Sequence, residues 1–182
     1  MESNSKNSRK VVSNSAILSA AGEYYVLFEL TRRGMIASLA PRNAPHIDII
    51  VSDQHAKMSF VVQVKTTKNA NQNYRGWMFK AKHERLQEGQ LFYFLVDLEP
   101  DQQTTPEVYI VPSKEIAAVL QLSHQTWLKT PGRRGQVHKD TKMRRVRPHY
   151  PDLDLVAYPK GWMECYKDGW NGLPSGSVNH PV

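Results

Sequence analysis

The stretch from His46 to Thr67 constrains the fold of this chain more than any other. Its sequence, HIDIIVSDQHAKMSFVVQVKTT, predicts two strands, 46–52 and 60–66, joined by a polar turn. Side chains alternate between the two faces of a strand, so the face of each residue follows from its position. If the alternating Ile, Val and Phe residues face the core, three polar residues emerge on one side of the hairpin: Asp48, Gln63 and Lys65.

A helix is predicted before this hairpin, from Ser13–Ser15 to about Arg33, with Gly34 as its terminator. Apolar residues at helical spacing predict its buried face: Ile17, Ala20, Ala21, Tyr24, Leu27, Phe28 and Thr31. On the same helical wheel Glu23 lies at the margin of this stripe, whereas Glu29 lies nearly opposite. We therefore expect Glu23 to look along the sheet surface and Glu29 to face water.

The remaining elements predict an α/β (α+β) fold with one central mixed β-sheet flanked by helices. Further strands are predicted at 35–39, 77–79, 91–98 and 107–111, and further helices at 81–88 and 113–122. We expect a single domain over 13–182, preceded by a disordered basic tail over 1–12.

Charge and cysteine content narrow the class of protein. The chain has 24 Lys and Arg against 17 Asp and Glu, a net charge of +7, which is common in proteins that bind nucleic acid. The single cysteine, Cys165, excludes an internal disulfide framework and favours the cytoplasm. No apolar run approaches the roughly 20 residues of a membrane helix, and the polar N-terminus predicts no signal peptide.

A basic and aromatic extension begins at about residue 130. It is either a solvated loop followed by aromatics packed on the core, or a strip of phosphate contacts. Around residue 77 a basic lobe could likewise grip DNA, or Trp77 and Phe79 could belong to the core. The candidate nucleic-acid-binding residues from both regions are Arg75, Lys80, Lys82, Arg133, Arg134, Arg144 and Arg145.

The order of Glu23 on a helix, Asp48 on one strand and Gln63-Val64-Lys65 on the next resembles the PD-(D/E)xK nuclease superfamily. The motif resemblance covers roughly residues 20–67. It implies the restriction-endonuclease-like fold, also called Holliday-junction-resolvase-like. Gln63 makes this a Q-x-K variant, since the commonest form has Asp or Glu there. The superfamily includes active Q-x-K enzymes.

The resemblance implies a metal-dependent DNA endonuclease that hydrolyses phosphodiester bonds. Phosphodiester hydrolysis uses a hard divalent cation, Mg²⁺ or Mn²⁺, held by oxygen ligands. The implied metal ligands are Asp48, Gln63, the Val64 carbonyl and Glu23. Lys65 would orient the attacking water or stabilise charge on the phosphate. RNA stays open as a substrate, a homodimer is implied, and the alternative is a catalytically inactive nucleic-acid- or protein-binding module of the same fold.

Overall fold

The computed structural model describes residues 14–68, 76–98 and 104–174. The predicted tail 1–12 and the candidate DNA-binding residue Arg75 lie outside these ranges, and for Arg133 only the backbone is described. The main helices are α1 (Asn14–Arg32) and α2 (Ser113–Lys129). The strands are β1 (Ile36–Leu39), β2 (Ile49–Ser52), β3 (Ser59–Thr67), β4 (Trp77–Lys80), β5 (Leu91–Asp97), β6 (Glu107–Pro112) and β7 (Met143–Val146).

Five strands form the central sheet in the order β1-β2-β3-β5-β6. The β3–β5 pair is parallel and the other three pairs are antiparallel, so the sheet is mixed. A 3₁₀ turn, Ala81–Arg85, lies on the connection between β3 and β5. The predicted α/β class with a central mixed sheet flanked by helices is confirmed, and the order of elements is consistent with a restriction-endonuclease-like core.

Each face of the sheet has its own hydrophobic core. Val26 and Leu30 of α1 pack with Val62 and Val64 of β3 on one face. Ile116 and Leu120 of α2 pack on the opposite face, together with apolar side chains of β5 and β6. Gln63 and Lys65 of β3 therefore emerge on the α2 side of the sheet.

A two-stranded ribbon of β4 and β7 covers part of the α2 side. Trp77 and Phe79 of β4 and Val146 of β7 are buried in this core. Of the two interpretations of Trp77 and Phe79, core packing is therefore the correct one. The sequence pattern did not reveal β7, and it ended α2 seven residues too early.

The apolar face predicted for α1 is wrong. Ile17, Tyr24 and Phe28 are each more than half exposed, and the buried residues of α1 are Gly22, Val26, Glu29 and Leu30. A Cβ atom on Gly22 would lie 2.0 Å from the Thr66 Oγ1 atom, so the glycine lets the helix approach β3 closely.

Glu29 is correspondingly buried, and the expectation that it faces water is wrong. Its Oε2 atom accepts hydrogen bonds from the guanidinium groups of Arg32 and Arg33. Burial alone would raise the pKa of Glu29, but these hydrogen bonds outweigh burial and hold the pKa below its usual value.

The C-terminal segment wraps back onto both cores. Tyr150, Tyr158 and Met163 join the α2 side, with Trp162 and Tyr166 packed against them, and Trp170 joins the α1 side. The aromatic part of the extension is thus a structural layer. No helix within 14–68, 76–98 or 104–174 combines the length and apolar character needed to cross a bilayer.

Candidate active site

The β2–β3 hairpin places Asp48 and Gln63 side by side. Ile49 pairs with Val62, and the Asp48 backbone N–H donates to the Val62 carbonyl at 2.8 Å. The regular strand begins at Ile49 and not at the predicted His46, because His46 adopts a φ of +63° that interrupts the extended backbone.

The Asp48 carboxylate is anchored on the neighbouring strand. Its Oδ2 atom accepts a 2.7 Å hydrogen bond from the backbone N–H of Val64. Burial raises the pKa of Asp48, while this hydrogen bond and the nearby Lys65 ammonium act in the opposite direction. A carboxylate partly stripped of water favours any cation that can replace its solvation.

Gln63 is buried, with 9% of its surface exposed. Its Oε1 atom is also buried and has no hydrogen-bond partner within the described residues. An amide oxygen without a partner in such a position costs free energy unless something else supplies the interaction. A bound cation beside Asp48 would do so.

Lys65 follows two residues after Gln63 on the same face of β3. Burial lowers its pKa, and the negative charges of Asp48 and Glu23 oppose that effect. Its Nζ atom lies 5.9 Å from the centre of the Phe79 ring, within the range of a cation–π contact. The Lys65 ammonium is therefore influenced by the charges of Asp48 and Glu23 and lies near the Phe79 ring.

Glu23 approaches the same place from α1. The close contact of Gly22 with Thr66 sets the next residue, Glu23, beside the end of β3 that carries Lys65. Burial raises the pKa of Glu23, the Asp48 charge raises it further, and Lys65 lowers it. Glu23 is thus close enough to Asp48 and Lys65 for their charges to act on its pKa.

The sequence pattern did not assign Tyr93 and His83 to this site. Tyr93 pairs with Gln63 across the β3–β5 ladder, and its hydroxyl group lies 2.7 Å from the His83 Nδ1 atom. Burial and the positive charge of Lys65 lower the pKa of His83 to about 4, so the ring is neutral at pH 7. Because Tyr93 is paired with Gln63, the alternation of side chains along β3 and β5 would have placed it on the same face as Gln63. His83 could not be predicted in this way, because it reaches the site only through a contact with the distant Tyr93.

His46 packs edge-on against His83, with ring centres 5.4 Å apart. Burial and the charges of Lys82 and Lys65 lower the pKa of His46. Its Nδ1 atom is buried and has no hydrogen-bond partner in the described part of the chain. His46 therefore packs beside His83, two residues before Asp48 in the chain.

The donor set fits a hard divalent cation. The described residues contain no cluster of three or more His, Cys, Asp or Glu side chains that could hold a metal. Mg²⁺, however, usually binds through one or two carboxylates and keeps several waters for substrate phosphates. Asp48, the unpartnered Gln63 oxygen, the Val64 carbonyl and Glu23 meet that description.

The candidate DNA-binding residues fall into two groups. Lys80, Lys82, Arg134 and Arg145 are exposed, and the charges of Lys80 and Lys82 reach Lys65. Arg144 is buried and is bonded to the Glu84 carboxylate and to the carbonyls of Thr141 and Met143. Because those partners occupy its guanidinium group, Arg144 is removed from the candidate DNA-binding set.

Comparison with known proteins finds a weak structural similarity and no match in sequence. No family model matches the chain, and no curated protein matches its sequence. A structural match is found to Hjc, a Holliday junction resolvase from the archaeal hyperthermophile Archaeoglobus fulgidus, at 14% identity and a TM-score of 0.37. The match covers 76% of this chain and 92% of that one.

Proposed function

We propose that this protein is a divalent-metal-dependent endonuclease that hydrolyses phosphodiester bonds in DNA. The observation that carries the proposal is the unpartnered, buried Gln63 Oε1 atom beside the anchored Asp48 carboxylate. A fold does not need that arrangement, whereas a cation site does. Lys65 and Glu23 complete a set of groups suited to phosphate chemistry.

Each residue has a role set by its chemistry. Asp48 supplies the anionic ligand, Gln63 and the Val64 carbonyl supply neutral oxygens, and Glu23 adds a second carboxylate. When bound, Mg²⁺ or Mn²⁺ supplies a Lewis acid for the phosphate and a means of making water nucleophilic. Lys65 is a fixed positive charge that orients the attacking water or stabilises charge on the phosphate oxygens.

The cations outside the site support a polyanionic substrate. Lys80 and Lys82 extend positive charge outward from Lys65. Exposed lysines and arginines neutralise backbone phosphates without reading sequence, which makes binding strongly salt-dependent. We propose DNA as the substrate, with RNA as a competing one, and a homodimer stays a prediction.

A paired binding and cleavage experiment tests the proposal. Calorimetric titration of Mn²⁺ should show a site that is lost in Asp48→Ala, and the wild-type protein should cut DNA only when Mg²⁺ or Mn²⁺ is present. Matched DNA and RNA, each as duplex and single strand, identify the substrate. Salt-sensitive DNA binding with neither metal binding nor cleavage would instead establish the inactive binding module.

A further inference from the structure

A second concave site lies between the C-terminal half of α2 and the β4–β7 ribbon. It has a volume of about 270 Å³. We call it the β7 pocket, and its principal wall residues are Met78, Trp127, Met143, Arg145, Arg147 and Leu153. None of Glu23, Asp48, Gln63 and Lys65 lines it, so it is separate from the candidate active site.

The apolar part of the β7 pocket joins a rigid ring to adaptable side chains. Trp127 stacks on His138, with ring centres 4.0 Å apart, and on His124 at 5.5 Å. The His124 Nε2 atom is bonded to the Asp140 carboxylate at 2.7 Å, which fixes the stack further. Met78 and Met143 are each nearly half exposed, and their thioethers can adjust to a planar ligand.

The polar part of the β7 pocket is cationic. Arg145 and Arg147 both line it, and burial together with the charge of Arg147 lowers the pKa of Arg145. The Arg145 Nε atom contacts the Met78 sulfur at 3.1 Å. Two like charges held in one pocket suit an anionic ligand, and guanidinium groups match the geometry of phosphate.

Three carboxylates pair with residues that line the β7 pocket. Asp152 accepts a hydrogen bond from Arg147 at 2.9 Å. Asp140 is bonded to His124 and lies 3.4 Å from Arg144, which is itself paired with Glu84. No carboxylate is among the residues that line the β7 pocket, and its wall joins arginines and apolar side chains to the polar Ser123, His124, Thr141 and Tyr150.

We propose that the β7 pocket takes one unpaired nucleotide of a DNA strand, with its base among Met78, Met143 and Trp127 and its phosphate against Arg145 and Arg147. The pocket lies just below the usual range for small-molecule sites, about 300–1,000 Å³, which suits a single base. A base within a duplex is stacked and paired, and must leave the helix to enter such a pocket.

This inference extends the proposed function and rests on it for the identity of the ligand, which is DNA. Neighbouring residues of β4 point to opposite sides of the ribbon, so Met78 faces the β7 pocket while Phe79 faces Lys65. Strand β4 therefore contributes to both the β7 pocket and the surroundings of Lys65. The implied substrate class is DNA with an unpaired nucleotide, as at a bulge, an end or a branch.

Binding measurements without divalent metal test this directly. Fluorescence anisotropy in EDTA compares three labelled duplexes. The first is a perfect duplex, the second carries one extra unpaired thymidine, and the third keeps the extra sugar and phosphate but lacks the thymine base. We expect the thymidine bulge to bind at least about fivefold more tightly than the other two, because only this duplex offers an unpaired base whose apolar surface the β7 pocket can remove from water.

Variants assign the preference to the β7 pocket. Arg145→Gln and Met143→Glu change exposed side chains, so both should fold, and both should abolish the preference for the thymidine bulge. Lys114→Gln, which removes one charge at the other end of α2, should retain it. Equal binding of the bulge with and without its base, or an unchanged preference in both pocket variants, would overturn the proposal. Cleavage is measured separately, so neither result depends on it.

Discussion

The Asp48 carboxylate accepts a 2.7 Å hydrogen bond from the backbone N–H of Val64, the residue between Gln63 and Lys65. This bond ties the acidic group on one strand to the Q-x-K segment on the next. It uses only one of the two carboxylate oxygens, so Asp48 keeps coordinating capacity while its orientation is fixed.

Gln63 sets the metal affinity. Gln63→Glu adds a negative ligand, so we expect tighter binding of Mn²⁺ in a calorimetric titration. Gln63→Leu should abolish that binding, while metal-free urea unfolding shows no loss of stability, because it removes an oxygen that has no partner in the described structure. Unchanged Mn²⁺ affinity in both variants would remove Gln63 from the ligand set.

Lys65 should affect the rate of cleavage and not metal binding. In Lys65→Gln we expect cleavage to fall by about 100-fold or more, in line with the loss of a preorganised electrostatic group. Mn²⁺ affinity should be unchanged or slightly tighter, since one repelling charge is gone. Lys114→Gln, at an exposed lysine on α2, is the charge-matched control and should cut at the wild-type rate. A parallel loss of metal binding in Lys65→Gln would contradict the assigned role.

Substitutions of the two glutamates of α1 should have different effects, with Glu23 affecting cleavage and Glu29 affecting stability. Glu29→Gln weakens a buried interaction with Arg32 and Arg33, and should lower the free energy of unfolding by about 1–3 kcal/mol without affecting cleavage at saturating metal. Glu23→Gln should reduce cleavage and change stability by less than about 0.5 kcal/mol. Urea unfolding and a cleavage assay on both variants check this, and the reversed pattern would exchange their roles.

His83 should make the protein sensitive to acid. Its pKa is about 4 in the fold against 6.5 for an unperturbed ring, so between these pH values the unfolded chain binds a proton that the folded chain does not. Stability therefore falls as the pH falls from 6.5 to 4, by at most about 3 kcal/mol from this group. His83→Gln keeps a hydrogen-bonding partner for Tyr93 and should flatten that dependence.

Urea unfolding at several pH values measures the His83 effect. His149→Gln, at an exposed histidine, is the control and should follow the wild-type curve. Identical slopes for wild type and His83→Gln between pH 6.5 and 4 would show that another group governs the loss of stability.

The hairpin was predictable because its information is local. Period-two alternation in β3 is enough to separate Val62 and Val64 from Gln63 and Lys65, and the observed register agrees with that division. The start of β2 was less predictable, since the positive φ of His46 leaves no signal in the hydrophobic pattern. The role of the shared polar face stays a prediction until metal binding is measured.

The face of α1 was not predictable, because a glycine and a glutamate form part of its buried surface. A helical wheel of apolar residues predicts that Tyr24 and Phe28 are buried. The packing is instead determined by the close approach of Gly22 to Thr66 and by the pairing of Glu29 with two arginines. β7 was missed for a related reason. Its partner β4 is far away in sequence. The two arginines of β7 suggest an exposed segment, although Arg144 is buried.

Cleavage of supercoiled plasmid by wild type and Asp48→Asn tests the central claim most directly. The asparagine oxygen can still accept the Val64 hydrogen bond, so the fold should be retained while the anionic ligand is lost. We predict cleavage by the wild type with Mg²⁺ or Mn²⁺, none in EDTA, and a loss of at least about 100-fold in Asp48→Asn. Equal cleavage by the two proteins, or no cleavage of any DNA form by the wild type with either metal, would contradict the proposed nuclease site.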